Sequence, residues 1–355
     1  MSKYKFALVG CGRISGKHIE AIKEINNAEV VSVCDIDVNK AKKIADKVGG
    51  INFYSSYDEM LQNEEVDIVS ILAPSGLHAE HTIDIVKKYK KHIVVEKPMA
   101  LKLEDADEMI KVCDANSVRL FVVKQNRYNL PVQKLRKAVE SGDFGKLVLG
   151  TVRVRWCRPQ AYYDMDPWRG TWELDGGVIT NQASHHIDLL EWMLGEPVSV
   201  MAKTKTYLSD IEVDDTAAAI INFKNGAMGI VEATTATRPK DLEGSLSILG
   251  ENGSVVIGGF AVNKMETWNF KDVSEEESNK IIEKYAELPP NVYGFGHQRY
   301  LEHIIDCIEN DKQALVDGFE GRKSLELINA MYESAETGKE VFLRFHPHKS
   351  KLGKK

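Results

Sequence analysis

Near the start of the chain a short apolar run ends in Gly10-Cys11-Gly12-Arg13-Ile14-Ser15, a G-x-G-x-x-small turn with a helix-like stretch behind it. In such a turn the first glycine permits a tight bend and the second lets a pyrophosphate approach the backbone. The opening of the helix offers free N–H groups and the positive end of its dipole. Ser15 stands where a third glycine or alanine is usual. The motif alone also fits a plain strand-to-helix turn, but Asp35 follows at the end of the second apolar run, where dinucleotide-binding turns carry an acid. A carboxylate there accepts from the adenosine ribose hydroxyls and repels a 2′-phosphate. No Arg follows in Ile36-Asp37-Val38-Asn39, so the pattern predicts NAD over NADP. The competing role for Asp35 is to cap the turn after its strand.

A second group of residues has acid–base character. The run His92-Ile-Val-Val-Glu96 leads into Glu96-Lys97-Pro98, at the carboxyl end of a strand, where open α/β sheets place ligands. An ammonium at Lys97 beside a nicotinamide would polarise a substrate hydroxyl and, if desolvated, move its proton; otherwise it is a solvated strand-end charge. Further on, Asp175-Gly-Gly-Val-Ile-Thr-Asn181-Gln-Ala-Ser-His185-His186-Ile-Asp188 enters a helix from a glycine turn. Asn181 and His185 are spaced i, i+4, and His185 and Asp188 i, i+3, which predicts one shared face, while His186 points roughly 100° away. His185 suits general-base work with Asn181 or Asp188 orienting it, or it is a core histidine bonded to Asp188. No third ligand accompanies His185, so no metal site is predicted.

These residues need a scaffold. Residues 4–122 alternate unbroken apolar runs with amphipathic stretches, the pattern of buried parallel strands with helices between them. Strands are predicted at 5–10, 29–35, 51–54, 68–73, 92–96 and 120–123, with helices such as 16–25 and 81–88; this is βαβ logic. After a helix near 131–141 the texture changes to runs meeting at Asn225-Gly226 and Asn252-Gly253, dipeptides that favour type I′ hairpins. The predicted fold is therefore α/β plus α+β. A Rossmann dinucleotide-binding domain occupies 1–123, and 124–355 form a mainly antiparallel sheet domain with a late helix over 320–336 and a frayed basic tail from His346.

Composition agrees. The 355 residues carry 46 Lys plus Arg against 53 Asp plus Glu, a net charge of −7 that argues against a nucleic-acid binder. No apolar run approaches the roughly 18 residues of a membrane helix, and Met-Ser-Lys-Tyr-Lys leads straight into a strand, so a cytoplasmic protein is expected. The five scattered cysteines suggest neither a disulfide framework nor a zinc site.

Taken in order, Gly10-x-Gly12 with Asp35, Ala73-Pro74-Ser75-Gly76-Leu77-His78, Glu96-Lys97-Pro98, Trp168-Arg169 and Gly-Gly before His185-x-x-Asp188 resemble the glucose-fructose oxidoreductase / inositol dehydrogenase / rhizopine catabolism (Gfo/Idh/MocA) family over nearly the whole chain. The resemblance implies an NAD-dependent oxidoreductase with an open-faced sheet that packs in oligomers, a homotetramer or dimer. It also implies Lys97 and His185 flanking the oxidised carbon. It assigns cofactor contacts to Gly10, Gly12, Arg13, Ile14, Asp35, Ala73, Pro74, Ser75, Leu77, His78, Glu96, Lys97, Gln125, Trp168 and Arg169. Polyol-oxidising members usually carry Asp four residues before the histidine; Asn181 stands here instead.

A narrower resemblance rests on Arg158-Pro-Gln-Ala-Tyr162-Tyr163 through Trp168-Arg169-Gly-Thr-Trp172, Thr180-Asn-Gln-Ala-Ser-His-His-Ile-Asp188 and Gly294-Phe-Gly-His297. These look like the branch that oxidises the 3-hydroxyl of UDP-N-acetyl-glucosaminuronate, in the pathway to diacetylated mannuronic acid sugars of bacterial surface polysaccharide such as lipopolysaccharide O-antigen. The implied substrate contacts are Lys97, Arg158, Tyr163, Trp172, Asn181, His185 and His297. Such a substrate brings about three negative charges to an acidic protein, so its site must be locally basic. Arg153, Arg155, Arg158 and Arg169 would supply that polarity, and Trp156, Tyr162, Tyr163, Trp168 and Trp172 stacking surfaces, although Arg153 and Arg155 equally suit a salt-bridged strand face. The competing readings are a polyol or free-sugar dehydrogenase and a catalytically silent NAD-binding regulator.

Overall fold

The computed structural model describes residues 3–286, 296–343 and 350–354; Gly294 and Phe295 of the Gly-Phe-Gly-His motif and the start of the basic tail lie outside them. In chain order come β1 (Tyr4–Val9), α1 (Ser15–Lys23), β2 (Ala28–Cys34), α2 (Val38–Val48), β3 (Asn52–Tyr54), α3 (Tyr57–Asn63), β4 (Ile68–Ile71), α4 (His78–Tyr89), β5 (His92–Val95), α5 (Leu103–Ala115) and β6 (Leu120–Val122). Next are α6 (Leu130–Glu140), β7 (Leu147–Arg155), α7 (Gln160–Tyr163), α8 (Ser184–Leu194), β8 (Pro197–Lys205), β9 (Thr216–Phe223) and β10 (Met228–Thr234). Then follow β11 (Glu243–Gly250), β12 (Gly253–Gly258), β13 (Lys264–Phe270), α9 (Glu275–Lys284), α10 (Gly296–Glu309), α11 (Gly318–Thr337) and β14 (Val341–Phe342).

The chain forms two compact units, the first of residues 3–125 with 296–322 and the second of the remaining described residues. In the first, six strands lie in the order β3-β2-β1-β4-β5-β6, every pair parallel. That is the doubly wound dinucleotide-binding order, reversing direction between β1 and β4. Strand runs such as Phe6-Ala-Leu-Val9 and Ile93-Val-Val95 are buried throughout because helices cover both faces. Where the sequence suggests a single switch near residue 123, the chain comes back: α10 packs on α1, and Val122 N donates to Val316 O. The apolar stripe of α10, Tyr300, Leu301, Ile304 and Ile305, is fully buried.

The second unit is built on an eight-stranded sheet, β13-β12-β11-β7-β10-β9-β8-β14, antiparallel except for the parallel pair β7/β10. The two Asn-Gly dipeptides do lie at hairpin ends, but neither forms a type I′ turn. Only Gly226 has positive φ (86°), and Asn225 does not, so β9 and β10 join through residues 224–227 with glycine in the left-handed position. Gly253 already belongs to β12, where a Cβ would stand 2.3 Å from the Phe270 ring. No helix among the described residues is long and apolar enough to cross a membrane.

Just ahead of β9, burial pushes the Asp214 carboxyl up to about 6, against the pull of the Tyr332 hydroxyl. A carboxyl that holds its proton more tightly folded than unfolded makes the fold less stable as pH rises from its ordinary value towards 6. Asp214→Asn should therefore match the native chain near pH 4 and gain up to about 3 kcal/mol by pH 7, read from urea unfolding across that range. A difference that does not change with pH would show that Asp214 does not titrate there.

Candidate active site

In the first unit the turn after β1 is fixed by contact. Gly10 has φ +105°, and a Cβ on it would lie 2.7 Å from the backbone carbonyl of Leu72 at the end of β4. Gly12 is exposed, with no atom of the described residues within 4 Å of where its Cβ would be. One glycine is thus demanded by the fold and the other leaves room for an approaching group. The departure at Ser15 has a local reason, since its buried hydroxyl donates to Gly12 O across 2.7 Å and locks the turn onto α1. Asp35 braces the same turn: Oδ2 accepts from Cys11 N–H and Oδ1 from Asp37 N–H, each at 2.8 Å. Asp35 thus caps the turn after its strand, and Asp37 in its place caps α2, accepting from Asn39 N–H.

The 73–78 and 96–98 segments are tied together. His78 is buried, with Nδ1 2.8 Å from Pro98 O and Nε2 2.8 Å from Ala73 O, while burial pushes its pKa down. Ala73, Pro74, Ser75 and Leu77 are half-buried and Arg13 exposed. Glu96 is buried at the end of β5; its Oε1 faces His18 Nε2 at 3.0 Å and His297 Nε2 at 3.6 Å, and its Oε2 accepts from Lys97 N–H at 3.1 Å. The two imidazoles hold its carboxyl well below the ordinary range despite burial. Lys97 is half-buried, and His297 is 4% exposed. His18 is a member of this group that the sequence did not single out; its only signal was a polar residue on the apolar face of α1. Gln125, also buried, packs its carbonyl against Gly296.

In the second unit His185 is the second residue of α8, 8% exposed. The helix starts at Ser184, so Asn181 lies in the turn before it and the predicted i, i+4 face does not exist. The Asn181 amide instead donates to Asp175, a buried acid that also accepts Gly170 N–H at 2.8 Å. Asp188 meets Arg127, Nε to Oδ2 at 2.8 Å and Nη2 to Oδ1 at 2.9 Å, with both side chains buried. Arg127 was not foreseen, because nothing in a sequence announces a partner 61 residues away. His186 is fully buried beside Trp156, and burial drives its pKa to about 4.

The arginine-rich segment is less basic than its composition suggests. Arg155 makes a bidentate pair with Glu232, and both Arg153 and Arg155 lie within 4 Å of Glu243, the salt-bridged strand face. Arg169 donates to Asp166 and to the Tyr162 hydroxyl. Arg158 Nη1 reaches Asp241 at 3.0 Å, and its guanidinium lies over the Trp156 and Tyr162 rings. All four arginines therefore have carboxylate partners. Arg238, which the sequence reading passed over, donates to the Arg158 carbonyl. The Tyr163 hydroxyl lies against Thr235, and burial takes it up to about 12 against the pull of that hydrogen bond, whereas Tyr162 is half-buried between Arg158 and Arg169. Trp172 packs edge-on to Tyr332, and Trp168 carries the Arg169 guanidinium on its face.

The first unit suits a dinucleotide: an open Gly12, a helix N-terminus behind it and an acid at the end of β2 supply room, donors and an acceptor. Residues 4–124 match the NAD-binding Rossmann fold of an oxidoreductase family, and residues 136–343 match that family's C-terminal alpha/beta domain. The structure is similar to the WlbA dehydrogenase from Bordetella pertussis in complex with NADH and UDP-GlcNAcA, with a TM-score of 0.90 and 43% identity over 96% of this chain and 98% of that one. By sequence, myo-inositol 2-dehydrogenase of Thermotoga maritima is 26% identical over 344 residues, 96% of this chain and 98% of the relative. D-apiose dehydrogenase of Rhizobium rhizogenes is 24% identical over 351 residues, with 96% and 98% covered.

Replacing Asp35 with Ser together with Ile36→Arg should shift cofactor preference towards NADP, because a 2′-phosphate would lose a repelling charge and gain a cation. Fluorescence titration of both dinucleotides measures it. Equal binding of NAD and NADP by the native chain would remove this role from Asp35.

Proposed function

This chain belongs to the Gfo/Idh/MocA family of oxidoreductases, and from that premise we propose that it oxidises the 3-hydroxyl of UDP-N-acetyl-glucosaminuronate to the 3-keto sugar. The chain is an NAD-dependent sugar dehydrogenase. What favours the narrower substrate is the 43% identity, spread over nearly the whole of both chains, with a dehydrogenase whose complex holds NADH and UDP-GlcNAcA. The inositol and apiose enzymes stand at 26% and 24%.

Bound NAD supplies the hydride acceptor. In this reading the Gly10–Gly12 turn and the start of α1 hold the pyrophosphate and Asp35 takes the adenosine ribose hydroxyls, using lone pairs left over from its backbone contacts. The hydroxyl proton of the sugar is taken at Lys97 Nζ or a ring nitrogen of His185. Glu96 orients the lysine backbone. Arg127 holds Asp188 and with it the helix carrying His185. Arg158 recognises the sugar carboxylate through the Nε and Nη2 edge that Asp241 does not occupy, and Tyr162, with Trp172, supplies flat surface to the sugar or uracil more readily than the buried Tyr163. Asn181 contributes through Asp175.

The test is NADH formation with UDP-N-acetyl-glucosaminuronate, UDP-N-acetylglucosamine and myo-inositol side by side. The acid should be best, with the neutral UDP-sugar and the Arg158→Ala variant each losing about tenfold to a hundredfold, the worth of a charge-assisted hydrogen bond of roughly 1.5–3 kcal/mol. Equal rates for acid and neutral sugar would remove the carboxylate argument, and activity on inositol alone would make this a polyol dehydrogenase.

Lys97→Ala and His185→Ala should each lower turnover by about 10²–10⁴-fold while NAD affinity stays near native, as the loss of a positioned proton acceptor does. Single-turnover kinetics alongside NAD titration separates the two effects. Full turnover in both variants would sink the pair.

A further inference from the structure

The Glu96 carboxylate is met from three elements: His18 from α1, His297 from α10, and the Lys97 N–H that follows β5. The two rings stand edge to face, 5.5 Å between centroids. Two histidines and a glutamate whose donor atoms lie within 4.8 Å of one another could equally hold a divalent cation.

The tautomer of His18 decides between these. Among the described residues its Nδ1 is buried without a hydrogen-bond partner. A cation would take the Nε2 lone pair and move the proton to Nδ1, leaving a buried donor unmet, whereas metal-bound histidines ordinarily give that N–H to an acceptor. With the proton on Nε2, His18 donates to Glu96 and only a lone pair is left at Nδ1. The hydrogen-bonded arrangement satisfies the site; the metal does not.

We propose that His18, supported by His297, is a positioning residue: its hydrogen bond to Glu96 fixes the carboxylate that fixes the Lys97 backbone, tying α1 and its cofactor turn to the loop that carries the lysine. The inference rests on the reading of Lys97 as a proton acceptor. The same loop is held again one residue later, where His78 faces both Pro98 O and Ala73 O. The Lys97 backbone is thus held on both sides, and a reacting group misplaced by about 1 Å costs on the order of a hundredfold in rate.

The experiment compares His18→Leu, His18→Gln and Lys97→Ala in the full chain. Glutamine keeps an N–H donor near the position of Nε2, and leucine does not. With UDP-N-acetyl-glucosaminuronate, His18→Leu should lower kcat by about tenfold to a hundredfold while KM moves less than about threefold, and His18→Gln should restore most of the loss. Without NAD, amide hydrogen exchange at Lys97 should quicken in His18→Leu but in neither His18→Gln nor Lys97→Ala. Exchange does not depend on turnover, so an active Lys97→Ala would remove the lysine's role while leaving the clasp to be judged by exchange alone. If the unpaired carboxylate prevents His18→Leu from folding, His18→Leu/Glu96→Gln against Glu96→Gln carries the same comparison. Equal exchange and equal kcat in the leucine and glutamine variants would overturn the proposal. So would one equivalent of zinc per native chain, lost in His18→Leu.

Discussion

The helix carrying His185 has almost no free surface, and much of the second unit follows from that. Every residue of α8 but Trp192 is buried. It lies so close to the sheet that a Cβ on Gly150 of β7 would come within 2.8 Å of Leu190 and Leu194, and one on Gly229 of β10 within 3.2 Å of Leu190. A helix seated that deeply cannot turn about its axis, so the direction of His185 is set by apolar packing beneath it. The helix also takes Asp188 into that interior, where an ionised carboxylate is tolerated only with a close, directional partner. Arg127 provides it, and its guanidinium lies over Trp192, with Arg136 over the same ring. Charge and packing specify one rotation of the helix between them.

The first unit solves a related problem with backbone rather than bulk. Its loops at 10–12, 73–78 and 96–98 come from three different strands, yet each touches the next: Gly10 against Leu72, Ala73 and Pro98 joined through His78, and Glu96 reaching back to α1 through His18. Loops at the carboxyl edge of a parallel sheet are where function concentrates and where order is hardest to keep. Here short-range contacts between buried polar groups keep it, so the rigidity of the strands extends to the residues beyond them.

What could be read in the sequence divides along physical lines. The six parallel strands fall within two residues of where apolar runs place them; in β1, β4, β5 and β6 burial on both faces leaves no other pattern, whereas β3 at the sheet edge is largely exposed. Turn positions were legible and turn types were not: the dipeptide Asn225-Gly226 carries the preference, but the register of the strands decides which residue takes positive φ. The spacing of Asn181 and His185 misled because periodicity assumes a helix that begins three residues later. Partners remote in sequence, Arg127 for Asp188 and His297 for Glu96, leave no local trace, and neither does the return of α10 to the first unit. The arginines of 153–169 were visible as charge, while their carboxylates on β10, β11 and the loop at Asp241 come from strand pairing.

Asp35 does two things with one carboxylate: it supplies the acidic end of β2 and it holds the N–H groups of Cys11 and Asp37 in place. The acid cannot then be exchanged as a cofactor label alone, since a shorter or neutral side chain surrenders two braces of the glycine turn as well as the charge. A lineage drifting towards another dinucleotide changes its preference with a looser glycine turn until a second acceptor for Cys11 arises, so that the order in which substitutions arrive, and not only their identity, sets how well its descendants hold that turn.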